Sequence, residues 1–205
     1  MVFKRFLDKV YGLRSDEETR ALYDAWSESY EQEVAEQGYA TPGRIANALG
    51  TKLPDKSLPI LDFGCGTGLS GEALKAQGFS TIDGCDISPE MIEKAREKGV
   101  YRDLWVSYAD AELPFETGDY AAIAAIGVIS VGAAPASALH RLFKKLGPGG
   151  LISFSFNDHT LKDKSYEGAV NELLDTGSAR LLVRTYGDHL PGINMKSMIY
   201  VLEKL

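Results

Sequence analysis

The stretch Ile60-Leu-Asp-Phe-Gly-Cys-Gly-Thr-Gly68 limits what this chain can fold into more than any other. Residues 58–63 form a short apolar run with a proline inside it and three glycines behind it, the pattern of a fully covered parallel strand. Gly64, Gly66 and Gly68 then let the backbone turn sharply and lie close against a ligand, because a Cβ there would occupy the ligand's volume. A strand buried on both faces needs helices above and below it, which directs the reading toward an α/β sheet.

The rest of the chain can be placed around that turn. Ser15-Asp-Glu-Glu18 is a capping box and predicts a helix from about residue 16 toward Gly38. Within it Tyr23, Trp26, Ser27, Tyr30 and Val34 recur at helical spacing and form one aromatic stripe. That stripe reads either as core packing or as a lid in which Trp26 and Tyr30 close over a ligand. Thr41-Pro42 predicts a second helix to Gly50, with Thr41 as N-cap. Strands are expected over 58–63, 80–85, 105–109, 120–126, 151–156, 180–186 and 195–202, with helices over 69–77, 90–98, 135–146 and 162–175. Ser88 caps the helix after the second strand, and the last two strands form a hairpin through Pro191-Gly192. The expected fold is a doubly wound, Rossmann-like, seven-stranded sheet with its last strand antiparallel and helices on both faces. At 205 residues this is one domain, 1–205, with residues 1–50 as N-terminal helices able to form a lid over the ligand.

Charge and cysteine usage narrow the partners. A net charge of −7 leaves no basic stripe for a phosphate backbone, so a small-molecule partner is expected, and no nucleic acid. Cys65 and Cys85 lack C-x-x-C or histidine spacing, so neither a metal site nor a disulfide framework is expected, and a reducing, cytoplasmic setting fits them. No stretch nears the ~20 apolar residues of a membrane span. Val2, Phe3, Phe6, Leu7 and Val10 recur at helical spacing among basic residues, an amphipathic helix expected to dock onto the domain and not a signal peptide.

In an open α/β sheet, ligands bind beyond the carboxyl ends of the strands, where the strand order reverses. The candidates are therefore Gly64 to Gly68, then Asp86 and Ile87, then Asp110 and Ala111, then Gly127 to Ser130. Asp86 suits the two hydroxyls of a ribose, Ile87 offers an apolar face to a base, and Asp110 suits an exocyclic amino group. Two ligand classes share these needs. Residues 66–71 satisfy G-x-G-x-x-G with an acid at Asp86, which fits a nicotinamide dinucleotide and an NAD(P)-dependent oxidoreductase. Against that stand Asp62 inside the end of the strand and the Asp110 segment, neither of which a dinucleotide requires.

Leu61 to Gly68 resembles the first motif of the class I S-adenosylmethionine (SAM) methyltransferases, Asp86-Ile-Ser-Pro-Glu-Met their ribose-binding acid, and Asp110-Ala-Glu-Leu-Pro-Phe115 their adenine-side motif. Leu146-Gly-Pro-Gly-Gly-Leu-Ile-Ser-Phe looks like their fifth-strand signature. Tyr23-Asp-x-Trp-x-x-x-Tyr30 and the ending Arg184-Thr-Tyr186 with Leu190-Pro-Gly192 look most like small methyltransferases related to the Williams-Beuren region protein. The resemblance implies SAM as cofactor, S-adenosylhomocysteine (SAH) as product, and Trp26, Tyr30, Asp62, Gly64, Cys65, Gly66, Gly68, Asp86, Ile87, Asp110, Ala111, Gly127 and Val128 as cofactor-side residues. It also leaves open a protein that binds SAM or SAH without turnover. A general base is required only for a protonated acceptor, and His159 and His189, in loops after the fifth and sixth strands, are the candidates.

Overall fold

The structure, a computed structural model, describes residues 15–108 and 112–205. The predicted helix at the N-terminus, and the residues Ala109, Asp110 and Ala111, lie outside the described residues. Three helices lead in: α1 (Asp16–Trp26), α2 (Tyr30–Glu36) and α3 (Thr41–Lys52). The sheet then builds through β1 (Ile60–Phe63), α4 (Leu69–Ala76), β2 (Ile82–Asp86), α5 (Pro89–Glu97) and β3 (Leu104–Val106). It continues through β4 (Ala122–Ala125), α6 (Ser137–Lys144), β5 (Leu151–Asn157), α7 (Lys164–Asp175), β6 (Ala179–Leu190) and β7 (Met195–Lys204).

The seven strands take the order β3-β2-β1-β4-β5-β7-β6. Strands β1 to β5 are parallel, and β7 lies antiparallel between β5 and β6. The order reverses between β1 and β4, which places a crevice beyond their carboxyl ends. Every residue of β1 and β4 is buried, as a parallel strand covered on both faces requires. Leu61, Phe63, Ile123 and Ile152 pack against Leu139 and Leu142 of α6 and Val170 and Leu173 of α7. Ile60, Ile82 and Ala124 face the other way, onto Ile45 and Leu49 of α3 and Leu74 of α4.

Local signals set the ends of the helices that carry the crevice. Ser88 is the N-cap of α5, its side chain accepting from the Met91 N–H at 3.1 Å. Asp83, the second residue of β2, is buried against the Arg102 guanidinium and accepts from the Tyr120 hydroxyl at 2.7 Å. Burial alone would raise its carboxyl, but these donors hold it below the ordinary range.

Two expectations need correcting. The predicted continuous helix from residue 16 to Gly38 is two helices, because Ser27 ends the first: its N–H and its hydroxyl both return to the Asp24 carbonyl. Thr41 is not the N-cap of α3 but its first helical residue, with Ala40 as cap and Pro42 in the first turn. Its hydroxyl is buried and points instead toward β6 and β7, 2.8 Å from His189 Nδ1 and 3.0 Å from Ser197 Oγ.

Candidate functional site

The crevice at the strand reversal contains a cleft of about 760 Å³, mouth included. Its floor comes from the strand ends: Phe63, Gly64 and Gly66 after β1, Asp86 and Ile87 after β2, and Gly127 and Val128 after β4. Met91 of α5 closes one side, and Tyr23 and Tyr30 of the N-terminal helices cover the top.

The glycine turn is built for close approach. Gly64 and Gly66 have φ of +73° and +52°, a left-handed backbone that L side chains rarely adopt. A Cβ on Gly66 would meet no protein atom within 4 Å, so this glycine keeps open the space beside the cleft and avoids no packing clash. The Gly66 N–H donates to Asp86 Oδ2 at 2.8 Å, and the Ser88 N–H donates to Asp86 Oδ1 at 3.0 Å. These bonds lock the carboxylate at the rim of the cleft and leave further lone pairs on each oxygen. Burial nonetheless raises the Asp86 carboxyl, the backbone donors of Ser88, Gly66 and Ile87 opposing it only in part. The Tyr30 hydroxyl is pushed well up, first by burial and then by the neighbouring Tyr39, Tyr23 and Asp86.

A second cavity of about 450 Å³ adjoins the first and shares Tyr23, Tyr30 and Gly127 with it. Trp26, Tyr39, Ser130, Asn157 and His189 also line it. Trp26 stacks on Tyr23 with ring centroids 5.7 Å apart and meets Tyr30 edge-on at 4.9 Å. The aromatic stripe therefore serves both ends: Trp26 and Val34 are buried with Leu190, while Tyr23 and Tyr30 face the cavities.

Of the residues singled out in the sequence, Tyr30, Gly64, Gly66, Asp86, Ile87, Gly127 and Val128 meet at the first cleft, and Trp26 borders the second cavity. Asp62, Cys65 and Gly68 lie behind the floor. Asp62 is fully buried, with Oδ2 accepting from Ser70 Oγ at 2.6 Å and from the Tyr101 hydroxyl at 2.8 Å. Its Oδ1 has no hydrogen-bond partner among the described residues, and burial lifts the carboxyl to about 6. Cys65 packs on Ile92 and Ala95 of α5, and Cys65 and Cys85 are buried free thiols. A Cβ on Gly68 would stand 2.9 Å from Lys98 Cδ and 3.3 Å from Ala95, so this glycine admits α5.

The two histidines separate. His159 is exposed and lines neither cavity. His189 lies not in a loop but within β6, which runs on to Leu190; it is 7% exposed, borders the second cavity, and is pushed down to about 4 by burial and then by the Arg44 charge. Ser130, at the end of the segment expected after the fourth strand, reaches this cavity, whereas sequence reasoning missed Tyr39 and Asn157. Only Tyr39 carried a local signal, its place directly behind the helix-ending Gly38. Among the described residues no helix is long and apolar enough to cross a membrane.

A family model described as a methyltransferase domain matches residues 61–154. Methyltransferase-like protein 27 of Homo sapiens is 35% identical over 157 residues, which cover 75% of this chain and 63% of that protein. The 18S rRNA (guanine-N(7))-methyltransferase of Bos taurus is 36% identical over 75 residues, 37% of this chain and 26% of that protein. This chain thus spans a little under two thirds of the human relative and about a quarter of the bovine one. Among solved structures, magnesium protoporphyrin IX methyltransferase from Synechocystis PCC 6803 with bound SAH superposes with a TM-score of 0.69. The overlap covers 93% of this chain and 100% of that one at 14% identity, a likeness of fold. The matched segment runs from β1 into β5 and so contains the glycine turn, the Asp86 rim and the strand reversal. Residues 61–154 thus match a methyltransferase domain, and the sheet order and glycine-lined crevice share the fold of an S-adenosylhomocysteine-bound methyltransferase.

Proposed function

We propose that this chain transfers a methyl group from SAM, held in the first cleft, to a small-molecule acceptor entering from the second cavity. The observation that carries the reading is Asp86: a carboxylate fixed by the Gly66 and Ser88 N–H groups at the rim of a cleft that Gly66 keeps open. Its free lone pairs suit vicinal ribose hydroxyls, Ile87 and Met91 supply an apolar wall for a base, and Gly64 and Gly66 leave room for the methionine end. Asp110 and Ala111, proposed for the adenine side, lie outside the described residues.

SAM supplies a methyl already activated on a sulfonium. That methyl would pass to an acceptor lone pair, the methyl–sulfur bonding pair staying on sulfur, so this chain's main task is alignment. Tyr23, Tyr30 and Gly127, shared by the two cavities, stand at that junction. Tyr23 and Tyr30 sit on the N-terminal helices and act as the lid that excludes water. Lys98 of the α5 C-cap ties α2 down, 3.0 Å from Glu31.

A small molecule is favoured over RNA because four aromatic side chains and no cationic one line the second cavity, although the bovine relative's name places that protein on rRNA. The test is calorimetric titration with SAM and SAH, with NADH as control. Micromolar binding of the adenosyl ligands alone supports the cofactor assignment. Binding of NADH, or of none, overturns it. Transfer of labelled methyl from SAM to RNA would reject the small-molecule reading.

A further inference from the structure

The second cavity carries a feature that the cofactor assignment leaves unused: a chain of side chains running from the half-buried Arg44 inward to His189. Arg44 Nη1 donates to Ser197 Oγ at 2.9 Å, Ser197 Oγ lies 3.0 Å from Thr41 Oγ1, and Thr41 Oγ1 lies 2.8 Å from His189 Nδ1. Thr41 and Ser197 are both 0% exposed. A guanidinium has donors only, so Ser197 Oγ must accept from Arg44. The Ser197 proton then goes to Thr41 Oγ1 and the Thr41 proton to His189 Nδ1. The reverse direction leaves the Ser197 hydroxyl proton without an acceptor among the described residues, which a buried group avoids. In a neutral imidazole whose Nδ1 accepts, the proton sits on Nε2. Burial and the Arg44 charge keep the ring neutral.

The described lining contains no Asp, Glu, Lys or Arg to balance a charged guest. Tyr23, Trp26, Tyr30 and Tyr39 supply flat apolar surface, and Ser130 and Asn157 add neutral polar groups. We propose that this cavity takes a neutral, planar acceptor bearing an oxygen atom, that His189 binds that oxygen as an Nε2–H donor and not as a general base, and that Arg44, Ser197 and Thr41 are positioning residues that set the donor. The proposal rests on the second cavity being the acceptor side of the methyltransferase site, and it involves no proton transfer to the imidazole.

The experiment has two arms, both on the SAH-loaded full chain. The first reads the tautomer by long-range 15N–1H correlation on histidine-labelled protein. The Nε2–H pattern is expected for His189, with Thr41→Val shifting the population toward Nδ1–H and Thr41→Ser restoring it. A wild-type Nδ1–H pattern, or a Thr41→Val protein that folds with an unchanged pattern, overturns the relay. The second arm titrates a matched set of probes: toluene, 4-methylphenol, 4-methylbenzoate and 4-methylbenzylamine. 4-Methylphenol is expected to bind best, roughly fivefold tighter than toluene, the usual worth of one neutral hydrogen bond. His189→Phe should remove that preference and leave toluene binding in place. Stronger binding of the benzoate or the amine, or no binding of 4-methylphenol, overturns the acceptor class. SAH titration of each protein separates the two readings: lost SAH binding in the wild type would sink the cofactor assignment, while the histidine pattern would still report on the relay.

Discussion

Gly64 faces Val128 so closely across the ends of β1 and β4 that a Cβ on Gly64 would stand 2.3 Å from Val128 Cγ2. Gly66, two residues on, has equally demanding backbone geometry but open space where its Cβ would go. The same change therefore does different damage at the two positions. Gly64→Ala is expected to cost about 3 kcal/mol of stability, from left-handed strain plus overpacking. Gly66→Ala should cost only about 1–2 kcal/mol, the strain alone, yet lose SAH affinity by placing a methyl beside the cleft. Denaturant unfolding and SAH titration of both variants check this. Equal loss of stability in the two would show that the Val128 contact does not decide the outcome.

Asp86 combines a structural and a binding task. Asp86→Ala is expected to weaken SAH binding by about 1.5–3 kcal/mol, the worth of hydrogen bonds to a charged group. Asp86→Asn keeps an acceptor oxygen for one of the Gly66 and Ser88 N–H groups and should lose less. Unchanged affinity in calorimetry would remove Asp86 from the cofactor site.

Tyr101 supports the turn from behind. Its hydroxyl donates to Asp62 Oδ2 at 2.8 Å and accepts from the Gly71 N–H at 3.1 Å. Tyr101→Phe leaves the Gly71 N–H without its acceptor and Asp62 Oδ2 with Ser70 Oγ as its one donor, so unfolding free energy is expected to fall by about 1–3 kcal/mol. Because Asp62 and Tyr101 lie behind the cleft floor, SAH affinity in the folded fraction should change little. A large affinity loss at full stability would mean that this cluster reaches the ligand.

The parallel half of the sheet was readable from the residues because doubly covered strands are short apolar runs and the turns after them carry Gly64, Asp86 and Gly127. The break at Ser27 was not, because Trp26, Tyr30 and Val34 keep helical spacing straight through it and the local hydroxyl competition leaves no mark on that pattern. The rim of the cleft was legible for the same reason as the strands. The second cavity was not: Thr41 meets His189 and Ser197 across 148 and 156 positions of sequence, and no periodicity links them. Thr41 read as a cap since nothing local tells a buried hydroxyl from a capping one.

Asp62 and His189 oppose each other in acid. Asp62 has an ordinary value of 3.8 raised to about 6 in the fold, so between those pH values the unfolded chain releases a proton that the folded one keeps. Stability then falls as pH rises through this window, by about 3 kcal/mol in all. His189 runs from an ordinary 6.5 down to about 4, so between those values the unfolded chain holds a proton that the folded one refuses. Stability here rises with pH, by about 3 kcal/mol, because charging a buried imidazole is disfavoured. The two slopes nearly cancel between pH 4 and 6 and hide each other in the wild type. Relative to wild type, Asp62→Asn is therefore expected to make stability climb with pH across this window, and His189→Gln to make it decline. Denaturant unfolding at half-unit steps from pH 4 to 7 reads both slopes. Parallel curves for the three proteins would show that neither group keeps its shifted proton affinity in the fold.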